Sequence, residues 1–169
     1  MARRDMQKGS AADEERGLRS ADEERGLRSA ELHCAGQGLS LTPLRRRVLE
    51  IVLAAGRPVG AYDIIAELAR ERGKTAPPTV YRALDFLASA RLIHKVHSLN
   101  AWLACSLDGD ECGDERRHTA ELLICRSCGS ARELVDDGLR RQIQETARAV
   151  GFLADGIVLE VQGLCLDCR

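Results

Sequence analysis

The chain has 169 residues and a net charge of −1, and its 44% hydrophobic content is enough for the cores of one or two small domains. No apolar run is long enough to cross a membrane, and the first residues are charged, which argues against a membrane span and a secretory signal. We therefore expect a cytoplasmic protein without membrane association, whose seven cysteines are kept reduced.

Charge is distributed unevenly along the chain. Residues 39–105 contain ten Lys or Arg and five Asp or Glu, whereas residues 106–169 contain eight and thirteen. The excess of positive charge in the first segment suits a polyanion such as DNA, and the acidic second segment does not. Any nucleic-acid contact is therefore expected in the first segment.

The N-terminal region contains an identical nine-residue repeat. Residues 12–20 and 21–29 both read ADEERGLRS. Each copy has one large apolar residue, Leu18 or Leu27, and a glycine that interrupts helical periodicity. We expect residues 1–30 to form a disordered or partly helical duplicated tail.

Three helices are predicted after this tail. Thr42 followed by Pro43 is typical of a helix start, and apolar residues then recur at helical spacing until Gly56. A second helix is predicted over residues 62–72 and a third, after two prolines, over residues 79–89. Helices of this length in this order favour a helix-turn-helix.

The third helix is expected to enter the major groove of double-stranded DNA. Thr79, Arg82 and Phe86 are predicted to face outward, and Arg82 is the first candidate for a base contact, bidentate to a guanine. Tyr62, Thr79 and Tyr81 would add contacts to bases or to the DNA backbone. The alternative is an ordinary three-helix bundle with solvated arginines.

The remaining segments predict an α+β protein of two domains. Apolar residues 92–96 and 100–105 indicate a hairpin, the wing of a winged-helix domain over residues 31–105, and residues 106–117 form an acidic linker. A small dimerisation and metal-binding domain follows over residues 118–169, with a β-β-α-β order. Its elements are predicted at residues 118–124, 131–135, 139–150 and 157–161.

Two Cys-x-x-Cys pairs organise the C-terminal domain. Each pair has a neighbouring glycine, Gly129 or Gly163, which lets the backbone curl so that both sulfurs point at one place. Two such pairs suit a tetrahedral thiolate zinc site. The predicted structural zinc ligands are Cys125, Cys128, Cys165 and Cys168.

Other chemistry is compatible with these pairs. Two disulfides, a cytosolic Cys-x-x-Cys redox protein, or a zinc-ribbon interaction module without a DNA role are the alternatives. Catalysis is not predicted, because no nucleophile is arranged beside a base. Cys34 is expected to be an unligated thiol.

Four motifs in this order resemble the ferric uptake regulator family. They are LTPLR at residues 41–45, PPTVYRAL at 77–84, ICRSCG at 124–129 and GLCLDC at 163–168. The resemblance covers residues 39–169. It implies a homodimeric transcription regulator with a winged-helix domain and a four-cysteine zinc site in the dimerisation domain.

Within the family, the sensor residues resemble those of the zinc uptake regulator branch. Iron and peroxide sensors have a histidine-rich run where this chain reads RRHTAE at residues 116–121. The resemblance implies a regulatory zinc held by His94, Cys105, His118 and Glu133. The loop before His118 is longer than usual and carries Cys112, which is an alternative ligand.

This resemblance implies a zinc-responsive repressor with two Zn²⁺ per subunit, one structural and one regulatory. Zinc at the sensor site would favour a closed arrangement of the two domains. The zinc-loaded homodimer would then bind palindromic operator DNA, as one or two dimers per operator, and repress zinc-uptake genes. Sensing of iron, peroxide or nickel within the same family is the nearest alternative.

Overall fold

The computed structural model describes residue 21 and residues 23–73, 75–105, 121–134, 136–154 and 156–169. Helix α1 covers residues 23–36. Three further helices and a small antiparallel sheet, in the order β1-β3-β2, complete the N-terminal domain. These elements are α2 (Pro43–Ala55), β1 (Val59–Gly60), α3 (Ala61–Arg72), α4 (Pro77–Ser89), β2 (Ile93–Val96) and β3 (Ala101–Ala104).

The helix limits follow from local chemistry. Helix α2 begins at Pro43 and ends at Ala55, and the next residue, Gly56, has a φ of 57°, the left-handed conformation that closes many helices. Helix α4 contains both prolines in its first turn, where the missing N–H groups cost nothing, instead of starting after them. The two-residue strand β1 was not predicted because it is too short to show a periodic pattern.

Helix α1 changes the expected domain boundary. Leu27 packs against the core, and Ala30 and Cys34 are buried. These positions are three and four residues apart, so they form one apolar stripe on the helix. The predicted domain start at residue 31 therefore lies inside a packed helix, and residues 23–29 of the second repeat copy are helical. The first copy, residues 12–20, lies outside the described residues.

The C-terminal domain has the predicted β-β-α-β order. Its elements are β4 (Glu121–Cys125), β5 (Ala131–Glu133), α5 (Asp137–Ala149) and β6 (Leu159–Gly163). Strand β4 is central, antiparallel to β5 and parallel to β6. Helix α5 starts two residues before the predicted position, because the Asp136 carboxylate accepts hydrogen bonds from Gly138 N at 2.8 Å and Leu139 N at 3.1 Å.

The wing, which is the hairpin of β2 and β3, packs directly on this second sheet. Val96 and Leu103 of the wing form a buried cluster with Leu122 and Ile124 of β4. The opposite face of β4 carries the buried Glu121, whose carboxylate lies 3.4 Å from an Arg140 nitrogen on α5. The C-terminal sheet, β5-β4-β6, therefore contacts the wing on one face and helix α5 on the other. No helix among the described residues is long and apolar enough to cross a membrane.

Substitution of Ala30 tests the packing of α1. Ala30 is buried, so Ala30→Asp places an unpaired charge in the core and should lower the free energy of unfolding by about 3 kcal/mol. Ala35 is exposed on the same helix, and Ala35→Asp should change it by less than about 0.5 kcal/mol. Urea denaturation measures both, and equal effects would contradict the packed position of α1.

Candidate metal centres and DNA interface

The four cysteines of the Cys-x-x-Cys pairs converge on one place. Cys125 ends β4, and the parallel strand β6 delivers the second pair beside it, since Gly163 is the register partner of Cys125. The four sulfur atoms lie within 4.8 Å of one another. The sulfurs of Cys128 and Cys165 are 3.9 Å apart, close to the separation of about 3.8 Å that tetrahedral zinc imposes on its thiolates.

The backbone favours thiolates in this cluster. The N–H of Cys128, followed by that of Cys165, lowers the pKa of the Cys125 thiol to about 6. A hydrogen bond from the Ser130 hydroxyl, 3.1 Å from the sulfur, lowers the pKa of Cys128. Both changes favour the thiolate form, which is the form that binds metal.

Cys168 shows why a cation suits this cluster. A hydrogen bond from Ser127 lowers the pKa of this thiol, but the neighbouring sulfurs of Cys165 and Cys128, together with burial, outweigh it and raise the pKa to about 12. Another negative charge among these sulfurs is unfavourable without compensation. A divalent cation supplies that compensation, so the donor set fits zinc.

Glycine has different roles at the two pairs. Gly129 has a φ of 72°, and its N–H bonds to Cys125 O at 3.0 Å, so this glycine makes the tight turn that was expected. Gly163 has no positive φ and ends β6. None of the six described cysteines is in a disulfide.

A second cluster joins the two domains. His94 of β2, Cys105 just after β3 and Glu133 of β5 have donor atoms within 4.8 Å of one another. His94 Nε2 lies 2.9 Å from Glu133 Oε1, and the side chains of both residues are more than nine-tenths buried. Nitrogen, sulfur and oxygen donors brought together in this way form a set that favours zinc over magnesium or manganese.

Hydrogen bonding in the wing fixes two of these donors. His94 pairs with Leu103 across the hairpin, and Cys105 N donates to Leu92 O at 3.0 Å, which continues the ladder beyond the last residue of β3. The structure therefore brings three of the four predicted sensor residues together. His118 and Cys112 lie outside the described residues.

Two helices present the predicted DNA-contacting residues. Tyr62 at the start of α3 is 76% exposed, and Thr79, Tyr81 and Arg82 are exposed on the first two turns of α4. Phe86 does not face outward as predicted. It is half-buried against the core, under the Arg45 guanidinium, which lies 3.5 Å from the ring centroid.

Not all of the positive charge on α2 is available for DNA. Arg46 pairs with Glu31 at 2.7 Å and with Glu50 at 3.0 Å. Arg47 pairs with Glu50 and Glu71, and these contacts raise its pKa further. The charge count of residues 39–105 therefore overstates the basic character of this helix.

The contacts of two residues, Arg45 and Glu160, were not predicted from the sequence. Arg45 stacks on Phe86 and donates to Ser40 O at 2.8 Å, and its position in the LTPLR motif was the available signal. Glu160 of β6 accepts hydrogen bonds from the wing backbone. No local pattern marks Glu160, because the contact depends on how the domains pack.

Comparison with known proteins agrees with this geometry. Residues 36–162 match the ferric uptake regulator family. The chain belongs to the ferric uptake regulator family. The zinc uptake regulation protein of Escherichia coli K12 is 36% identical over 135 residues, which cover 80% of this chain and 76% of that protein. Members of the family are transcription regulators, so the chain is not an enzyme.

Solved structures support the same branch. A zinc uptake regulator complexed with zinc and DNA has a TM-score of 0.78 at 33% identity, covering 86% of this chain and 93% of that chain. Holo XcZur has a TM-score of 0.72 at 41% identity, covering 83% and 94%. Apo XcZur has a TM-score of 0.52 at 40% identity, covering 88% and 98%. The predicted fold class and zinc uptake regulator branch are confirmed.

Substitution of Cys128 tests the thiolate cluster. Cys128→Ser removes one of four donors, so purified protein should lose about one chelator-resistant zinc per chain, and the C-terminal domain should lose the folding energy that such a site contributes. Cys34→Ala is the matched control, because Cys34 is a buried cysteine far along the chain from the cluster. Zinc content by atomic emission and thermal melting measure the two effects; unchanged zinc content in Cys128→Ser contradicts the assignment.

Proposed function

We propose that this chain is a zinc-responsive transcriptional repressor that binds operator DNA as a homodimer. The observation that carries the proposal is the partly buried cluster of His94, Cys105 and Glu133, because its donors come from two domains. A residue set of this kind links metal occupancy to domain arrangement. The likeness to a zinc uptake regulator complexed with zinc and DNA supports the same function.

The regulatory zinc has four proposed ligands in this chain. His94 and Cys105 belong to the wing, Glu133 belongs to the C-terminal sheet, and His118 is proposed as the fourth. Zinc bound there would connect the DNA-binding domain to the dimerisation domain. A second zinc at the four-cysteine cluster is proposed as structural, because all of its donors lie within the C-terminal domain.

Zinc bound at this site would control how the two domains are arranged. A ligand shifts an equilibrium only by its difference in affinity for the two states, and an open form separates His94 and Cys105 from Glu133. The structure has its wing closed on the C-terminal sheet, and it is more similar to holo than to apo XcZur at almost equal sequence identity. This similarity supports a closed, DNA-competent form.

Exposed apolar residues support a homodimer through the C-terminal domain. Four large apolar side chains in the segment after α5 are 64–80% exposed. So many exposed apolar residues in one short segment are unusual for a surface that faces only solvent. They are Val150, Phe152, Leu153 and Val158. A second copy covering them would set two α4 helices at the spacing of successive major grooves, about 34 Å.

DNA recognition is assigned to the exposed N-terminal half of α4. Arg82 is proposed to contact a guanine edge, with Thr79 and Tyr81 beside it and Tyr62 reaching the DNA from α3. In the cytoplasm, when zinc is abundant, one or two dimers would bind a palindromic operator and repress the zinc-uptake genes, whose products import zinc.

Substitution of His94 tests the sensor site. His94→Ala should remove one chelator-accessible zinc per chain and weaken zinc-dependent DNA binding by about tenfold or more, because a ligand is lost. His97→Ala is the control, since the His97 side chain is exposed in the same wing and the change keeps the backbone N–H of residue 97. Fluorescence anisotropy with a duplex enriched from a random pool, in buffered zinc, measures the binding. Zinc-dependent tightening that persists in His94→Ala contradicts the proposal.

Substitution of Arg82 tests the DNA interface. Arg82→Ala should weaken binding to the same duplex by about 1–3 kcal/mol and relax the preference at one base position. Arg148→Ala removes an exposed arginine near the end of α5 and should leave binding unchanged. Retained affinity and preference in Arg82→Ala would move base recognition away from α4.

A further inference from the structure

A metal-independent contact also joins the two domains, at the other end of the wing. The Glu160 carboxylate accepts hydrogen bonds from His97 N at 2.5 Å and from Ser98 N at 2.9 Å. These two residues start the single turn of 3-10 helix, His97–Leu99, at the tip of the hairpin. The carboxylate therefore caps a turn of one domain from a strand of the other.

Sheet register places this contact in line with the cluster of His94, Cys105 and Glu133. Leu122 of β4 pairs with Glu133 of β5 on one side and with Glu160 of β6 on the other. Residues paired across neighbouring strands have side chains on the same face of a sheet. Glu133, Leu122 and Glu160 consequently form one row that faces the wing.

Each member of this row meets a different part of the wing. Glu133 lies beside His94 at the base of the wing, and Leu122 packs against Val96 and Leu103 in the middle. Glu160 holds the tip. The base contact involves the proposed zinc ligands, whereas the tip contact needs no metal.

The environment of Glu160 suits a charged acceptor. Partial burial raises the pKa of Glu160, but hydrogen bonds from Ser98 and His97 outweigh burial and leave its pKa below the usual value. The carboxylate is therefore ionised at neutral pH, and hydrogen bonds to charged groups are stronger than those to neutral ones.

We propose that Glu160 is a positioning residue that holds the wing tip on the C-terminal sheet and so sets the zinc concentration at which the protein becomes competent to bind DNA. This inference rests on the proposed function. Apparent zinc affinity equals the intrinsic affinity multiplied by the fraction of protein in the closed form. A contact made only in the closed form raises that fraction, and its removal weakens zinc binding at a site it does not touch.

The test compares Glu160→Gln with wild type in the full-length protein. Competition with a chromophoric zinc chelator should show affinity at the sensor site weakened by about tenfold, with retention of the four-cysteine zinc unchanged. Glu145→Gln is the matched control: it removes the same charge from an exposed position on α5 and should leave both zinc sites unchanged. A general loss of folding would weaken both sites together, so the split between them identifies positioning.

DNA binding provides the second measurement. In saturating zinc the closed form is restored, so Glu160→Gln should bind the enriched duplex within about threefold of wild type, and only the zinc midpoint should shift. The inference would be overturned if Glu160→Gln bound zinc at the sensor site as tightly as wild type, or if Glu145→Gln lost as much zinc affinity as Glu160→Gln. A DNA-binding defect of Glu160→Gln that persists in saturating zinc would overturn it as well. Absence of zinc-dependent DNA binding in the wild-type protein would instead contradict the proposed function.

Discussion

The packing of the wing on the C-terminal sheet is the interaction that joins the two domains. It buries Val96 and Leu103 against Leu122 and Ile124, and it brings His94 and Glu133 to 2.9 Å. Without this contact the donor atoms of His94 and Cys105 would lie on a different surface from that of Glu133. Apolar burial thus holds the two domains together. The polar contacts of Glu133 and Glu160, on either side of Leu122, orient the wing on the sheet.

The two clusters of donors have different consequences because of where their residues lie in the fold. The four cysteines follow β4 and β6, which are parallel neighbours, so their convergence is a property of one domain. The other cluster takes His94 and Cys105 from the wing and Glu133 from β5. A closed cluster inside one domain stabilises that domain, whereas a cluster shared by two domains responds to their relative position.

Much of this could be predicted from the sequence. Helical periodicity and a proline start indicated α2, and the spacing of the cysteine pairs indicated the thiolate cluster, because both signals are local. Predictions failed where tertiary packing decides. Phe86 lies on the outer side of α4 by periodicity, yet Arg45 covers it, and Glu160 looks like an ordinary strand carboxylate until the wing tip is placed against it. The stripe of Leu27, Ala30 and Cys34 was missed because it runs across the end of the repeat.

The position of that repeat has a consequence for how the chain tolerates change in length. Helix α1 is built from the second copy and the residues that follow it, and the copy before it has the same sequence. Loss or gain of one whole nine-residue unit leaves the sequence from residue 21 onward intact, so the stripe that docks on the core is preserved. An insertion of one or two residues between Leu27 and Ala30 would instead rotate Leu27 away from Ala30 and Cys34, since a helix turns by about 100° per residue. Recombination between the identical copies adds or removes whole units and therefore preserves this stripe.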